Sequence, residues 1–142
     1  MFLLANDAGR GRIFIFATDS NLQHLSACDQ WYMDGTFYSS PIHFTQLYTI
    51  HGFINGYMFP LVYGLLPNKT QATYERFFGL LKEKSAERHI ILNPTSAMMD
   101  FEVAASNALT TVFRMVAGKG CFFHFSQAIW RKVQALGLVA VS

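Results

Sequence analysis

The sequence predicts an α/β fold in which a mixed sheet is flanked by helices. Between residues 30 and 66, three apolar segments joined by short connections predict an antiparallel meander. After residue 70, patterns of helical period alternate with short apolar runs, so that later strands can lie parallel to an earlier one. A length of 142 residues is enough for one domain, residues 1–142, with a buried core.

The composition limits the classes of protein that need to be considered. Hydrophobic residues make up 51% of the chain and charged residues 14%, and the formal net charge is only +2. This charge is too small to indicate nucleic-acid binding by itself. Two cysteines, Cys28 and Cys121, cannot form a disulfide framework, which favours a reducing compartment. The uncharged run from Gly35 to Asn68 contains several prolines and glycines, so we expect buried strands there and no membrane partner.

The N-terminal part predicts one strand and one helix before the meander. Residues 1–11 are polar and contain glycine, and we expect no regular structure in them. Residues 12–16 predict a short strand. The polar residues at 18–21 can cap a short helix that carries Leu22 and Leu25 on its inner side.

An acid lies in the middle of the first meander strand, which we place at Gln30–Tyr38. Aromatic and β-branched residues surround Asp34 and favour a strand. The dipeptide Asp34-Gly35 is also a strong signal for a two-residue hairpin turn, and periodicity alone favours that turn. A second acid, Asp100, lies in the same way at the end of another apolar run, and this favours the strand.

The other two meander strands are predicted at Gln46–Ile54 and Tyr57–Leu66. The dipeptide Asn55-Gly56 between them is typical of a two-residue hairpin turn.

The second half of the chain predicts a helix at about residues 70–86, because four apolar residues there recur at helical spacing. These are Tyr74, Phe77, Phe78 and Leu81. A strand is predicted at Ser96–Asp100, followed by a helix that ends before Gly118. The remaining elements are a strand at 121–125 and a helix at 126–137 that carries Ile129, Val133 and Leu136.

Several motifs, taken together, point to a known family. They are Trp31…Asp34-Gly35-Thr36-Phe37, Gln46-Leu47-Tyr48-Thr49-Ile50-His51, Pro60-Leu61-Val62-Tyr63, Asn68-Lys69-Thr70…Tyr74, Asp100-Phe101-Glu102 and Gly120-Cys121-Phe122-Phe123-His124-Phe125. In their order and spacing they resemble the MULE (Mutator-like element) transposase domain. The resemblance covers about residues 13–138.

The resemblance implies a DDE-type catalytic core with a ribonuclease H-like fold, acting in DNA transposition by metal-dependent DNA cleavage and strand transfer. Two of the family's three acids fall on Asp34 and Asp100, which would be catalytic and hold Mg²⁺ or Mn²⁺ in a two-metal site. The implied partners are the DNA of transposon ends and target, and the implied location is the nucleus. Cys121 and His124 match the family's Cys-x-x-His motif, whose role the sequence does not show.

The residues themselves allow these roles and also simpler ones. Carboxylates are hard oxygen ligands that suit Mg²⁺ and Mn²⁺, and Asp34 and Asp100 would meet if their strands are adjacent and parallel. Asp100 could instead cap the following helix. Glu102 lies two residues further on, where a helical side chain faces another direction, so we expect it to interact with the helix dipole or to lie outside the metal's own ligands.

Cys121 and His124 are three residues apart in a predicted strand, so their side chains should point to opposite faces. A structural zinc site needs about four ligands on one centre. We therefore expect a buried cysteine next to a hydrogen-bonded histidine, with no structural zinc.

The C-terminal third is locally basic, with no Asp or Glu after Glu102. Its candidate DNA-binding residues are Arg114, Lys119, Arg131 and Lys132. A solvated helix face would explain the same four charges.

The family's third acid is a glutamate downstream of the Cys-x-x-His strand, and this sequence has none there. We therefore expect a C-terminally truncated core, a fragment that lacks the final catalytic segment and is inactive alone. The alternative is a non-catalytic DNA- or protein-binding module derived from a domesticated transposon.

Overall fold

The chain folds into a seven-stranded mixed sheet with three helices. The computed structural model describes residues 2–8, 11–37, 46–99, 102–113 and 121–124, with the backbone alone at 37 and 121–124. The strands are β1 (Phe2–Asp7), β2 (Ile13–Ala17), β3 (Gln30–Phe37), β4 (Gln46–Ile54), β5 (Tyr57–Leu66), β6 (Ser96–Met99) and β7 (Cys121–His124). The helices are α1 (Asp19–Ser26), α2 (Gln71–Glu87) and α3 (Val103–Phe113). The predicted α/β class with a mixed sheet is confirmed.

The strand order across the sheet is β1-β2-β5-β4-β3-β6-β7. Strands β3, β4 and β5 are consecutive antiparallel neighbours, as the predicted meander requires. The chain then crosses through α2 and returns as β6, which lies parallel to β3, and β7 lies parallel to β6. The crossover helix therefore brings β3, which carries Asp34, beside β6, which ends one residue before Asp100.

Strand β1 contradicts the prediction that residues 1–11 lack regular structure. It pairs antiparallel with β2 and buries Leu4 and Ala5. The register shifts between Leu3 and Ala5, which is a β-bulge. Because the bulge breaks the alternation of inward and outward side chains, the segment shows no period-two pattern in the sequence.

The first two helices begin at threonine caps. The Thr18 hydroxyl accepts a hydrogen bond from the Asn21 amide at 2.9 Å, and that of Thr70 accepts one from Thr73 at 3.2 Å. The predicted apolar stripe of α2 is confirmed, since all four of its members are fully buried. Helices α2 and α3 pack together, with the Phe78 and Phe113 ring centroids 6.4 Å apart.

The hairpin interpretation of Asp34-Gly35 is wrong. Both residues lie inside β3, where Asp34 pairs with Thr49 and Gly35 with Tyr48 of β4. The tight turn of the meander is at Asn55-Gly56, which have φ values of 52° and 84°. Two consecutive positive φ angles are what a type I′ hairpin turn requires.

Some predictions lie outside the described residues. These are the last residue of the first meander strand, Asp100 at the end of the β6 segment, the C-terminal end of the helix that contains α3, residue 125 and the helix at 126–137. In the part of the chain that the structure describes, every helix is too short or too polar to cross a bilayer.

Candidate functional site

Asp34 lies in the middle of a paired strand, half-buried. It is the partner of Thr49 in β4, and Thr49 is the partner of Tyr63 in β5. Residues paired across neighbouring strands project from the same face of a sheet. Asp34, Thr49 and Tyr63 therefore form one row across three strands, on one face.

The next row projects from the opposite face, where α2 packs. It consists of Gly35, Tyr48 and Gly64. The Tyr48 ring lies 5.2 Å from that of Tyr74 and 5.7 Å from that of Phe77, both on α2. The side chain of Asp34 thus belongs to the face away from α2, which keeps the carboxylate out of the aromatic core.

Strand β6 continues the sheet beside β3 in parallel. The paired residues are Gln30 with Ser96, Trp31 with Ala97, and Tyr32 with Met98. Burial alternates with the same phase along both strands. Trp31 and Ala97 are fully buried, and Tyr32 and Met98 are half-buried. The adjacent and parallel arrangement that the sequence required for two acids to meet is therefore present, although Asp100 itself lies outside the described residues.

His51 lies on the same face as Asp34, two residues from Thr49 along β4 and opposite Tyr32. Burial lowers the pKa of its imidazole from 6.5 to about 4, although a backbone contact with Tyr32 acts in the other direction. Nδ1 is 3.4 Å from the Tyr32 carbonyl oxygen. At neutral pH the ring is uncharged and adds no positive charge beside Asp34. The available signal for this group was a histidine within a strand of mainly apolar residues.

A family model of the MULE transposase domain matches residues 30–128, about 70% of the chain. This chain belongs to the MULE transposase domain family. The match begins at the first residue of β3 and includes β6, α3 and β7. Membership indicates a transposase-related function, and with it DNA as the class of partner. Among curated proteins, none matches this chain.

In this MULE domain, Glu102 lies at the start of α3. Its carbonyl oxygen accepts hydrogen bonds from the amides of Ala105 and Ser106, both at 3.2 Å, which makes it the N-cap residue. The capping role that the sequence allows for Asp100 stays a prediction, because Asp100 lies outside the described residues. The Glu102 carboxylate accepts a hydrogen bond of 2.6 Å from the Tyr74 hydroxyl.

Tyr74 belongs to a buried polar group that sequence reasoning missed. Gln46, which is 0% exposed, donates from Nε2 to the Tyr74 hydroxyl at 3.0 Å and to the Asn68 carbonyl at 3.0 Å. Gln46 and the Asn68…Tyr74 segment both lie in motifs that carry the family resemblance. The available signal was a glutamine at the start of a strand of mainly apolar residues.

The remaining candidate residues of the MULE domain are placed only in part. The backbone register of β7 sets Cys121 beside Ser96 and His124 beside Met99, the residue before Asp100. The opposite-face prediction for the Cys121 and His124 side chains stays a prediction, because only their backbone is described. Arg114, Lys119, Arg131 and Lys132 lie outside the described residues. Within the described ranges, no three His, Cys, Asp or Glu side chains are grouped as metal ligands would be.

Proposed function

We propose that this MULE domain is part of a DDE-type transposase catalytic core with a ribonuclease H-like fold. In this proposal Asp34 and Asp100 are catalytic and hold Mg²⁺ or Mn²⁺ for cleavage and joining of DNA at transposon ends and targets, in the nucleus. The observation that supports it most strongly is the parallel register of β3, which carries Asp34, and β6, which ends one residue before Asp100.

The register and the burial pattern lead to the same arrangement. The last described pair is Tyr32 with Met98, and the proposal extends this register by two residues, so that Asp34 and Asp100 become partners. Met99 is 1% exposed and Met33 is 1% exposed, so both follow the buried phase of their strands. In a strand of period two, positions 34 and 100 then share the opposite face.

The donor atoms fit the proposed metals. Carboxylate oxygens on a fixed scaffold are the ligands that Mg²⁺ and Mn²⁺ prefer, and neutral His51 does not compete electrostatically with a cation. When bound, such ions activate the attacking oxygen and stabilise the leaving oxygen of a phosphodiester. The chain's own contribution is to hold two carboxylates on one face of adjacent strands.

The third acid of the family has no counterpart after Glu102 in this sequence. No Asp or Glu follows Glu102 in the sequence, and the Glu102 carboxylate is bound by Tyr74. We therefore expect residues 1–142 alone to leave supercoiled plasmid intact in Mn²⁺. Efficient nicking that disappears in Asp34→Asn would instead show that a third ligand exists within these residues.

The hydrogen bond that engages the Glu102 carboxylate with Tyr74 favours a second candidate function, a non-catalytic DNA- or protein-binding module. For this function the two aspartates are dispensable. DNA binding that is unchanged in Asp34→Asn and Asp100→Asn, together with an absence of metal binding, would support the module over the catalytic core.

Calorimetric titration with Mn²⁺ tests the catalytic proposal. Wild type should bind Mn²⁺, and Asp34→Asn and Asp100→Asn should each remove most of the binding, because each variant loses a charged ligand. Asp29→Asn is the matched control: Asp29 is exposed and directly precedes β3, about 16 Å along the strand from Asp34. Binding that survives in either acid variant, or that is lost equally in the control, would remove the proposed pair from the site.

A further inference from the structure

We infer that Arg12, which directly precedes β2, contacts the phosphate backbone of duplex DNA bound on the face of the sheet that carries Asp34. This inference rests on the proposed function, because it places the DNA on the face of the proposed catalytic acid. Arg12 lies outside residues 30–128, the part of the chain that the family model matches.

The row of paired residues that contains Asp34 continues across the sheet to β2. Asp34 pairs with Thr49, and Thr49 pairs with Tyr63. Tyr63 in turn pairs with Phe16 of β2. Residues in one row project from the same face, and so does Phe14, two residues from Phe16. The burial of β2 agrees, because Phe14 and Phe16 are half-buried while the other three residues of the strand are buried.

Two contacts hold the Arg12 side chain on this face. Arg12 Nη1 donates to Asn6 Oδ1 at 2.7 Å, and Arg12 Cζ lies 5.9 Å from the centroid of the Phe14 ring. Asn6 pairs with Phe14 between β1 and β2, so its side chain projects from the same face as the ring. The distance to the ring is within the range of a cation–π interaction. The guanidinium is therefore oriented before any ligand binds.

The partners of the arginine side chains distinguish Arg12 from the other two arginines that the structure describes. Arg76 Nη2 lies 2.7 Å from Asp7 Oδ2, and Arg88 Nε lies 2.9 Å from Asp19 Oδ1. Arg12 instead donates to an amide oxygen, and none of the described acidic side chains forms an ion pair with it. An amide accepts a hydrogen bond without neutralising the cation. Because the Arg12 side chain is exposed, its charge and its other N–H groups remain available to an anionic partner.

Charge complementarity favours a DNA backbone as this partner. Family membership indicates DNA as the class of partner. Duplex DNA carries one negative charge for about every 1.7 Å of its axis. The planar guanidinium presents two parallel N–H groups that match the oxygens of a phosphate. A phosphate contact therefore uses the charge and the donors that Asn6 leaves available on Arg12.

The spacing of the sheet sets the distance between Arg12 and Asp34. Three intervals of about 4.8 Å separate β3 from β2, and Arg12 lies four residues, or about 13 Å, from Phe16. The two Cα atoms are thus about 20 Å apart, which is about six base pairs of a duplex. Arg12 would contact the backbone about half a helical turn from a phosphate at Asp34. It would position the duplex without touching the reacting atoms.

The test is the affinity of Arg12→Gln for a fluorescent DNA duplex of arbitrary sequence, without divalent ions, at about 50 to 200 mM salt. Loss of one phosphate contact should make the slope of log K against log salt less negative by about 0.9. At about 0.1 M salt the variant should bind roughly eightfold more weakly than wild type. Asn6→Asp should also weaken binding, because it puts a carboxylate beside the guanidinium. Arg12→Lys keeps the charge and should retain most of the slope.

The matched control is Arg88→Gln, which removes the same charge from an exposed arginine that is already paired with Asp19. Arg88→Gln should keep the wild-type salt slope. Circular dichroism and the unfolding midpoint establish that each variant is folded at the temperature of the assay. If Arg12→Gln fails to fold, Asn6→Asp decides the question.

A second comparison tests which face the duplex occupies. Without divalent ions, Asp34→Asn should bind the duplex more tightly than wild type, because the carboxylate repels phosphates on its own face. Asp29→Asn removes the same charge from an exposed residue before β3 and should bind more like wild type. Equal affinities of Asp34→Asn and Asp29→Asn would place the duplex on another surface and overturn the inference.

The outcomes separate this inference from the proposed function. A wild-type salt slope in Arg12→Gln, or an equal change in Arg88→Gln, would overturn the inference, and so would a wild-type chain that binds no duplex. Loss of Mn²⁺ binding in Asp34→Asn would leave the proposed metal site standing in each of these cases. DNA binding that depends on Arg12 in a chain that binds no Mn²⁺ would support the inference and remove the metal site.

Discussion

The two faces of strands β3 and β4 differ in what their side chains contact. On the face covered by α2 and α3, Trp31 and Ile50 are fully buried and Tyr48 is 2% exposed, all within the hydrophobic core. On the other face, half-buried Asp34 lies beside the polar residues Thr49 and His51. The same two strands therefore combine a closely packed apolar face with a face that carries an acid.

The contrast shows how the fold places the acid. Side chains alternate with a period of two, so a slip of one residue would exchange the two faces completely. The aromatic contacts of Trp31 and Tyr48 with the helices thus fix the register of β3 and β4. The orientation of Asp34 therefore follows from packing on the opposite side of the sheet. The residues next to Asp34 in the chain do not have to specify it.

The largest expected effect is on the packed face. Trp31 is fully buried, its ring meets that of Phe113 edge-on at 5.2 Å, and Nε1 lies 3.4 Å from the Leu25 carbonyl. Trp31→Ala should lower the free energy of unfolding by about 3–5 kcal/mol. Tyr32→Ala removes the half-buried neighbour on the other face. It should lower the free energy of unfolding by less than half of the loss in Trp31→Ala. Urea unfolding followed by circular dichroism measures both, and equal losses would contradict the two-face account.

A smaller effect should appear as pH dependence on the face of Asp34. Because burial lowers the pKa of folded His51 to about 4, the unfolded chain binds its proton first as the pH falls below 6.5. The stability associated with neutral His51 is therefore present above pH 6.5 and is lost as the pH falls through about 4, by at most roughly 3 kcal/mol.

This pH dependence can be isolated by comparing wild type with His51→Gln between pH 7 and pH 5. The unfolding free energy of wild type should fall more steeply with decreasing pH than that of the variant. His24→Gln, at an exposed histidine of α1, is the control and should retain the wild-type slope. Parallel pH curves for wild type and His51→Gln would show that the ring is not held in its neutral form.

The smallest effects concern two glycines near α2. Gly64 lies under Phe77, where an added Cβ would overlap the ring, so Gly64→Ala should destabilise the chain by about 1–3 kcal/mol. Gly79 lies within α2, where an added Cβ meets no atom within 4 Å. Gly79→Ala should therefore stabilise the chain, by up to about 1 kcal/mol. Thermal unfolding of both variants checks the opposite signs, and a stabilising Gly64→Ala would contradict the close packing of α2 on β5.

Features set by neighbouring residues could be predicted from the sequence. The α2 stripe follows a helical period, and the Asn55-Gly56 turn needs only two residues of the right type. From the helix and the turn, the antiparallel meander and the crossover to a parallel strand could be predicted as well. Strand β1 could not be predicted in this way, because its bulge removes the alternation and only pairing with β2 defines it.

The candidate site likewise has one feature that the sequence reveals and others that appear only in the folded chain. Asp34 stood out because it is a single acid in an aromatic strand, but Asp34-Gly35 has the local signature of a turn, and only pairing with β4 shows a continuous strand. The Gln46–Tyr74–Glu102 group joins residues that are each 28 positions apart. No pattern within a helix or a strand encodes such a group, since it exists only after α2 and α3 have packed beside β4.

The central proposal, that Asp34 and Asp100 would together hold a divalent metal ion, can be tested most directly by iron-mediated backbone cleavage. Fe²⁺ can occupy sites built for similar divalent ions, and with ascorbate and peroxide it generates radicals that cut the nearby chain. Mass spectrometry should locate cuts next to both residue 34 and residue 100. Excess Mg²⁺ should suppress both, and so should Asp34→Asn alone. Cuts at only one acid, or cuts that persist in Asp34→Asn, would contradict a shared site.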